Sequence, residues 1–95
     1  MRSLIEDLRE DSDQKVASII RLLSQGSTKV VSKGRGLVQA NLSMAVVQQR
    51  LEKFGWKVIG DPWGREIKMK SPPAARIEMT VRVTDGSRGA ANIYT

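Results

Sequence analysis

Val16, Ile19, Ile20 and Leu23 recur at spacings of three, four and seven, which sets one apolar stripe on a helix over residues 12–24. Asp11, Ser12 and Asp13 offer N-cap oxygens, and Gly26 suits the left-handed position after a helix end. The preceding stretch 3–8 carries Leu4, Ile5 and Leu8 and fits either a helix or a short edge strand. Residues 28–32 (TKVVS) predict a short strand with its valines inward. A second stripe, Leu37, Ala40, Met44, Val47, Leu51 and Phe54, alternates steps of three and four and predicts a long helix over 37–54, stopped by Gly55. Val38, Leu42, Ala45 and Val46 widen its apolar surface beyond a single seam. Such a helix is expected to pack on a sheet and on a further body, and a dimer is inferred partly from that width.

Residues 56–59 predict a strand, interrupted at Gly60-Asp61-Pro62-Trp63-Gly64 and resumed over 65–70. The interruption suits a bulge or a turn. Ser71-Pro72-Pro73-Ala74-Ala75 is a turn that cannot continue a ladder. Over 76–83, Ile77, Met79, Val81 and Val83 alternate with Arg76, Glu78, Thr80 and Arg82, the pattern of a half-buried strand in an antiparallel hairpin. Residues 84–95, rich in Gly, Ala and Ser, read as a flexible C-terminal tail. The fold class expected is α/β, two helices packed on a small mixed sheet. The path from residue 28 through the long helix to Trp56 has the length of a βαβ crossover.

Composition narrows the function. The 95-residue chain is 40% hydrophobic and 27% charged, an ordinary globular mixture sized for one domain. It has no apolar run near the ~20 residues of a membrane span, and Glu6, Asp7, Glu10 and Asp11 stand where a signal peptide would be apolar. A cytoplasmic or nucleoid-associated protein is expected. With no Cys and no His, disulfides, thiolate metal sites and the usual general base are missing. The remaining acids are dispersed, so neither an enzyme, a metal site nor a cofactor is expected. The net charge of +6 is a difference of two unlike parts. Residues 1–13 hold two cations and five anions, −3, and residues 14–95 hold fourteen cations and five anions, +9. A polyanion is the first partner to test. The acidic segment is a solvated helix face or arm, or a competitor folding over a basic surface.

Two places concentrate the candidate chemistry. In Lys33-Gly34-Arg35-Gly36 two glycines let the backbone bend close to a ligand, two cations flank it, and a helix N-terminus is expected to follow. Surface cations on a plain strand-to-helix loop give the same four letters. The hairpin carries Arg65, Lys68, Lys70, Arg76 and Arg82, with Lys68 and Lys70 on one face near the 71–75 tip. Such a basic ribbon can lie along a duplex groove, or merely guard a sheet edge against pairing. Only Phe54, Trp56, Trp63 and Tyr94 are aromatic; Phe54 and Trp56 are expected in the core, and Trp63 fits a packed cap over the core better than the exposed stacking residue it alone could supply. Backbone-and-shape binding fits this inventory better than base reading. A winged-helix arrangement would make 41–54 a recognition helix, but Gln48, Gln49, Arg50 and Lys53 are a poor set of base readers.

The run from Val16 to Gly26, then Lys29-Val30-Val31-Ser32-Lys33-Gly34-Arg35-Gly36, then Leu37 to Leu51, resembles the Alba superfamily, as do the stretch from Leu51 to Val58 and the strand 76–83. The likeness covers residues 14–83, between an acidic segment 1–13 and the tail 84–95. It implies a two-layer α/β domain with a protruding hairpin that dimerises and binds double-stranded DNA or structured RNA. Family members serve in chromatin or as subunits of RNA-processing ribonucleoproteins such as ribonuclease P/MRP. Residue by residue, it places nucleic-acid contacts at Lys33, Gly34, Arg35 and Gly36 and at Lys68, Lys70 and Arg76. The chain departs from the family where a first strand and a basic pair should precede the first helix, for residues 8–15 are largely acidic. The expected function is therefore non-catalytic backbone binding with little sequence preference, as a homodimer or a heterodimer with a related chain. The competing expectation is an interaction module or ribonucleoprotein subunit whose acidic N-terminus and apolar helix bind a partner protein.

Overall fold

Helix α1 runs from Leu4 to Leu23 in the computed structural model, which describes residues 4–60 and 65–95 and, within them, side chains from Gln14 onward. The choice between helix and edge strand near the start thus falls to helix from Leu4. Asp11, Ser12 and Asp13 lie inside α1, not at its cap, because no Gly or Pro between Leu4 and Leu23 interrupts it. Val16, Ile19 and Leu23 are buried and Ile20 partly so, as the stripe requires. The acidic side chains of residues 1–13, the interruption at 61–64 and Trp63 lie outside what is described.

The expected long helix over 37–54 is two elements. Residues Leu37–Ala40 form strand β2, antiparallel to β1 (Val30–Gly34), and helix α2 begins only at Met44 and ends at Lys53. Ser43 fixes that start, its Oγ accepting the Val46 N–H at 3.3 Å. Asn41 ties the intervening turn to β1's approach, its Oδ1 accepting the Lys29 N–H at 2.7 Å and its own N–H donating to the Lys29 carbonyl at 3.1 Å. In β2 burial alternates with period two, Val38 and Ala40 inward, while in α2 Met44, Val47 and Leu51 are the buried face. Of the residues that widened the supposed helix, Val38 belongs to the strand and Leu42 to the turn, while Ala45 and Val46 do lie on α2. At the C-terminus Gly55 (φ +90°) makes a Schellman turn, with Trp56 N–H to the Leu51 carbonyl at 3.1 Å and Gly55 N–H to Glu52 at 3.0 Å. Trp56 is buried against this end as expected, but Phe54 is 44% exposed and so is not a core residue.

The remaining strands are β3 (Lys57–Gly60), β4 (Glu66–Lys70), β5 (Thr80–Asp85) and β6 (Ala91–Tyr94), the last two joined through a 3₁₀ turn at Ser87–Gly89. All six strands make one sheet in the order β1-β2-β6-β5-β4-β3, and every pairing is antiparallel, so the sheet is not mixed. The segment read as a flexible tail supplies β6, in the middle of the sheet between β2 and β5, with Ala91 and Ile93 fully buried. The β4–β5 hairpin has both strands inside the sheet, and Ser71 and Met79, opposite one another just past the Lys70–Thr80 pair, continue it with Ser71 N–H to the Met79 carbonyl and Met79 N–H to Ser71 Oγ, each 3.0 Å. The loop beyond them lies on the helical side, where Pro72, Ala75, Arg76 and Ile77 line a groove with Ala17 and Arg21 of α1. Strands β2 and β3 run in the same direction with three strands between them, so α2 carries the chain across one face of the sheet.

Both helices pack on that face, α1 against β1 and β2 and α2 against β3, β4 and β5. Val38, Ala40, Ile67, Met69, Val81, Val83, Ala91 and Ile93 from the sheet meet Val16, Ile19, Leu23, Val47 and Leu51 from the helices. Arg50 is held inside this layer, donating from Nη1 to the Leu23 carbonyl (2.9 Å) and to Thr28 Oγ1 (2.6 Å), which closes α1's C-terminus. That use of Arg50, and the seat of α2 on the sheet, leave no recognition helix of the winged-helix kind in this segment. The opposite face of the sheet carries neither helix.

Candidate functional site

Residues directly opposite one another in neighbouring antiparallel strands share a face, so the register of the sheet lays out the uncovered side. One row across it is Leu37, Tyr94, Arg82 and Lys68; the next is Gln39, Asn92, Thr84 and Glu66; a third is Thr80, Lys70 and Lys57. Four cations, Lys57, Lys68, Lys70 and Arg82, thus stand together on strands β3, β4 and β5. Glu66 is the anion among them, and its Oε1 lies 3.2 Å from Arg82 Nε. Lys70 reaches Glu78 at 3.6 Å, but with both side chains mostly exposed such a pair is worth at most ~1 kcal/mol and yields readily to a ligand. Lys57 and Lys68 make no ion pair among the described residues. The Arg82 guanidinium carbon sits 4.7 Å from the centre of the Tyr94 ring, a cation–π stack.

The Lys33-Gly34-Arg35-Gly36 turn is a two-residue β-hairpin, not the entry to a helix. Gly34 faces Leu37, and the two residues between them, Arg35 (φ +53°) and Gly36 (φ +77°), both have positive φ, as in a type I′ turn. The expected phosphate site at a helix N-terminus therefore does not exist here; the next helix starts at Met44. The cations themselves remain exposed, and Thr95 anchors the turn to the end of β6 through its N–H and Oγ1, both 2.9 Å from the Gly36 carbonyl. An arginine in the left-handed region costs roughly 1–2 kcal/mol relative to glycine, so Arg35 is kept at the tip at the expense of backbone ease. The register places this tip at the end of the sheet that also bears Thr80, Lys70 and Lys57.

Of the residues expected from sequence, Lys68 and Lys70 share the open face and the Lys33–Gly36 turn edges the same sheet. Arg76 stands apart, lining a groove of about 520 Å³ with Ala17 and Arg21 of α1, Phe54, Trp56 and Ile77 on the helical side. Lys57 and Tyr94 were not anticipated. A period-two reading outward from buried Trp56 finds Lys57, whereas Tyr94 is found only once its segment is known to be a strand. Among the described residues no group of three or more His, Cys, Asp or Glu converges. Comparison with family models, with curated proteins and with solved structures finds no match to this chain.

Proposed function

We propose that the chain is a non-catalytic nucleic-acid-binding protein whose open sheet face grips the phosphate backbone of DNA or RNA with little sequence preference. The observation that supports this reading most is the concentration of Lys57, Lys68, Lys70 and Arg82 on the one sheet face that neither helix covers. A sheet side left polar and cationic, with exposed lysines at two of the three outward positions of β4, suits a ligand that is anionic, extended and indifferent to exact register. Lys33 and Arg35 extend the same positive edge. The Alba resemblance of the sequence points to the same function through the basic turn and the hairpin lysines. We retain that function without the family's element order, since residues 37–40 are a strand and the first element is a helix. The reading carries with it a cytoplasmic or nucleoid location; no helix of the described residues is long and apolar enough to cross a membrane.

Each phosphate neutralised releases a counterion, so about four contacts, from Lys57, Lys68, Lys70 and the Lys33–Arg35 edge, give a log–log salt slope of roughly −3 to −4 and a loss on the order of a hundredfold in affinity between 50 and 200 mM salt. Fluorescence anisotropy with a labelled oligonucleotide at both salts tests this. The Lys68→Ala/Lys70→Ala double variant should weaken binding to all sequences and flatten the slope by about 2. Unchanged affinity in that variant would remove the open face as the site.

A second reading has its own observation. Phe54, Val58 and Ile59 are large apolar side chains left exposed near the β3 edge, and Phe54 borders the groove that holds Arg76. A protein partner, or a second copy forming the proposed dimer, would cover them. The breadth of the apolar helix argues less for a dimer, because Val38 is buried within the chain, while Ala45 stays exposed on α2. Sedimentation of the protein alone and of a Phe54→Ser/Ile59→Ser variant separates a self-associating chain from a monomer.

A further inference from the structure

We infer that the open face takes single-stranded nucleic acid in preference to duplex, with one base stacked on the Arg82 guanidinium where it lies over Tyr94; the inference rests on the function proposed above. Three features of this face argue for it. The first is shape. Major-groove readers insert a helix or a two-stranded ribbon, and here both helices lie on the other side while the 71–79 loop leans toward α1, with Pro72, Ala75, Arg76 and Ile77 lining the groove there. A six-stranded sheet spans about 24 Å across its strands at ~4.8 Å each, a surface on which a flexible strand can lie flat, whereas a rigid duplex touches it only along a line.

The second feature is the stack itself. Tyr94 supplies one flat surface under Arg82, and the Glu66 carboxylate takes the Nε edge of the same guanidinium at 3.2 Å. Ring and carboxylate together fix the plane of the guanidinium, while the Arg82 side chain remains 50% exposed. A planar cation held in this way is a stacking surface for a nucleobase, as aromatic rings and arginine planes are in single-strand readers.

The third feature is the division of labour across the face. Glu66 already balances the charge of Arg82 and repels a phosphate placed there, so the β5–β6 side favours the base. Asn92, Gln39, Thr84 and Thr80 surround it with amides and hydroxyls suited to base edges. Lys68, Lys70 and Lys57, on the adjoining strands β4 and β3, are free of such a close carboxylate except for the exposed Lys70–Glu78 pair, and they meet the phosphates.

The experiment is anisotropy with three labelled ten-nucleotide probes: a single strand, its duplex, and an abasic strand of sugar and phosphate alone. Wild-type protein should bind the single strand at least ~10-fold more tightly than the duplex. Tyr94→Ala should lose ~5- to 150-fold on the single strand, the worth of one stacked base, and leave the abasic strand nearly unchanged. Arg82→Lys keeps the charge and removes the plane, so it should show the same selective loss even if Tyr94→Ala folds poorly; Tyr94→Phe should bind like wild type. Equal affinity for duplex and single strand, or equal losses on the based and abasic strands, overturns the stacking inference and leaves backbone binding in place. Failure of wild-type protein to bind any of the three probes overturns both.

Discussion

Strand β4 carries two different kinds of residue on its two faces: Ile67 and Met69 are buried under the helices, while Lys68 and Lys70 stand exposed on the other side. Strand β5 repeats the division with Val81 and Val83 against Thr80 and Arg82. Neighbouring positions along one backbone thus answer to different physics. The inner ones exclude water and hold the domain together; the outer ones cost almost nothing to change in stability and determine what the surface attracts. Substitutions one residue apart should therefore separate folding from binding cleanly.

The largest effect is expected on the inner face. Met69 is fully buried, and Met69→Ala should lower unfolding free energy by ~2–5 kcal/mol, read from the urea midpoint, a large share of what a domain of this size possesses. Protein that remains folded should still bind, so a loss of affinity per folded molecule would blur the division between the faces. Next in size is the β5–β6 connection that seats Tyr94. A Cβ on Gly86 would collide with the Ala90 carbonyl oxygen, so Gly86→Ala should cost ~1–3 kcal/mol and loosen β6, visible as faster amide exchange at Ala91 and Ile93.

The turn at Arg35 sharpens the comparison from the other side. Arg35→Gly removes the left-handed strain and should raise stability by about 1 kcal/mol while flattening the salt slope of nucleic-acid binding by about 1. Equal stability with an unchanged slope would make this arginine an incidental loop residue. The smallest structural effect belongs to Lys68→Ala, which should move the urea midpoint by no more than ~0.5 kcal/mol equivalent and still reduce affinity.

The sequence reveals the inner face better than the outer one. Alternation in the β4 and β5 segments is strict, so the parity of Lys68, Lys70 and Arg82 can be read before any fold is known. The segment around Leu37 misleads because Leu37, Ala40 and Met44 fall by chance at helical spacing across a strand, a turn and a helix start. Only the Ser43 cap and the Asn41 bond to Lys29 mark the break, and these are single polar residues easily absorbed into a long amphipathic pattern. Residues 91–94 are too few to announce a strand, and the Gly, Ser and Ala before them read as a loop. Their burial comes from neighbours distant in the chain, β2 and β5, and so does the meeting of Tyr94 with Arg82. Arg76 belongs to the hairpin loop in sequence but not to the open face in space, since that loop lies toward α1.

The most direct test of where the ligand sits is an NMR titration of isotopically labelled protein with an unlabelled single strand, following the Arg82 Nε–H, the Tyr94 ring and the lysine side chains. Binding by the open face requires shifts at Lys57, Lys68, Lys70, Arg82 and Tyr94 that saturate together, with Ala17, Arg21 and Phe54 unmoved. Shifts confined to Arg21, Phe54 and Arg76, or none at all at saturating oligonucleotide, would contradict it.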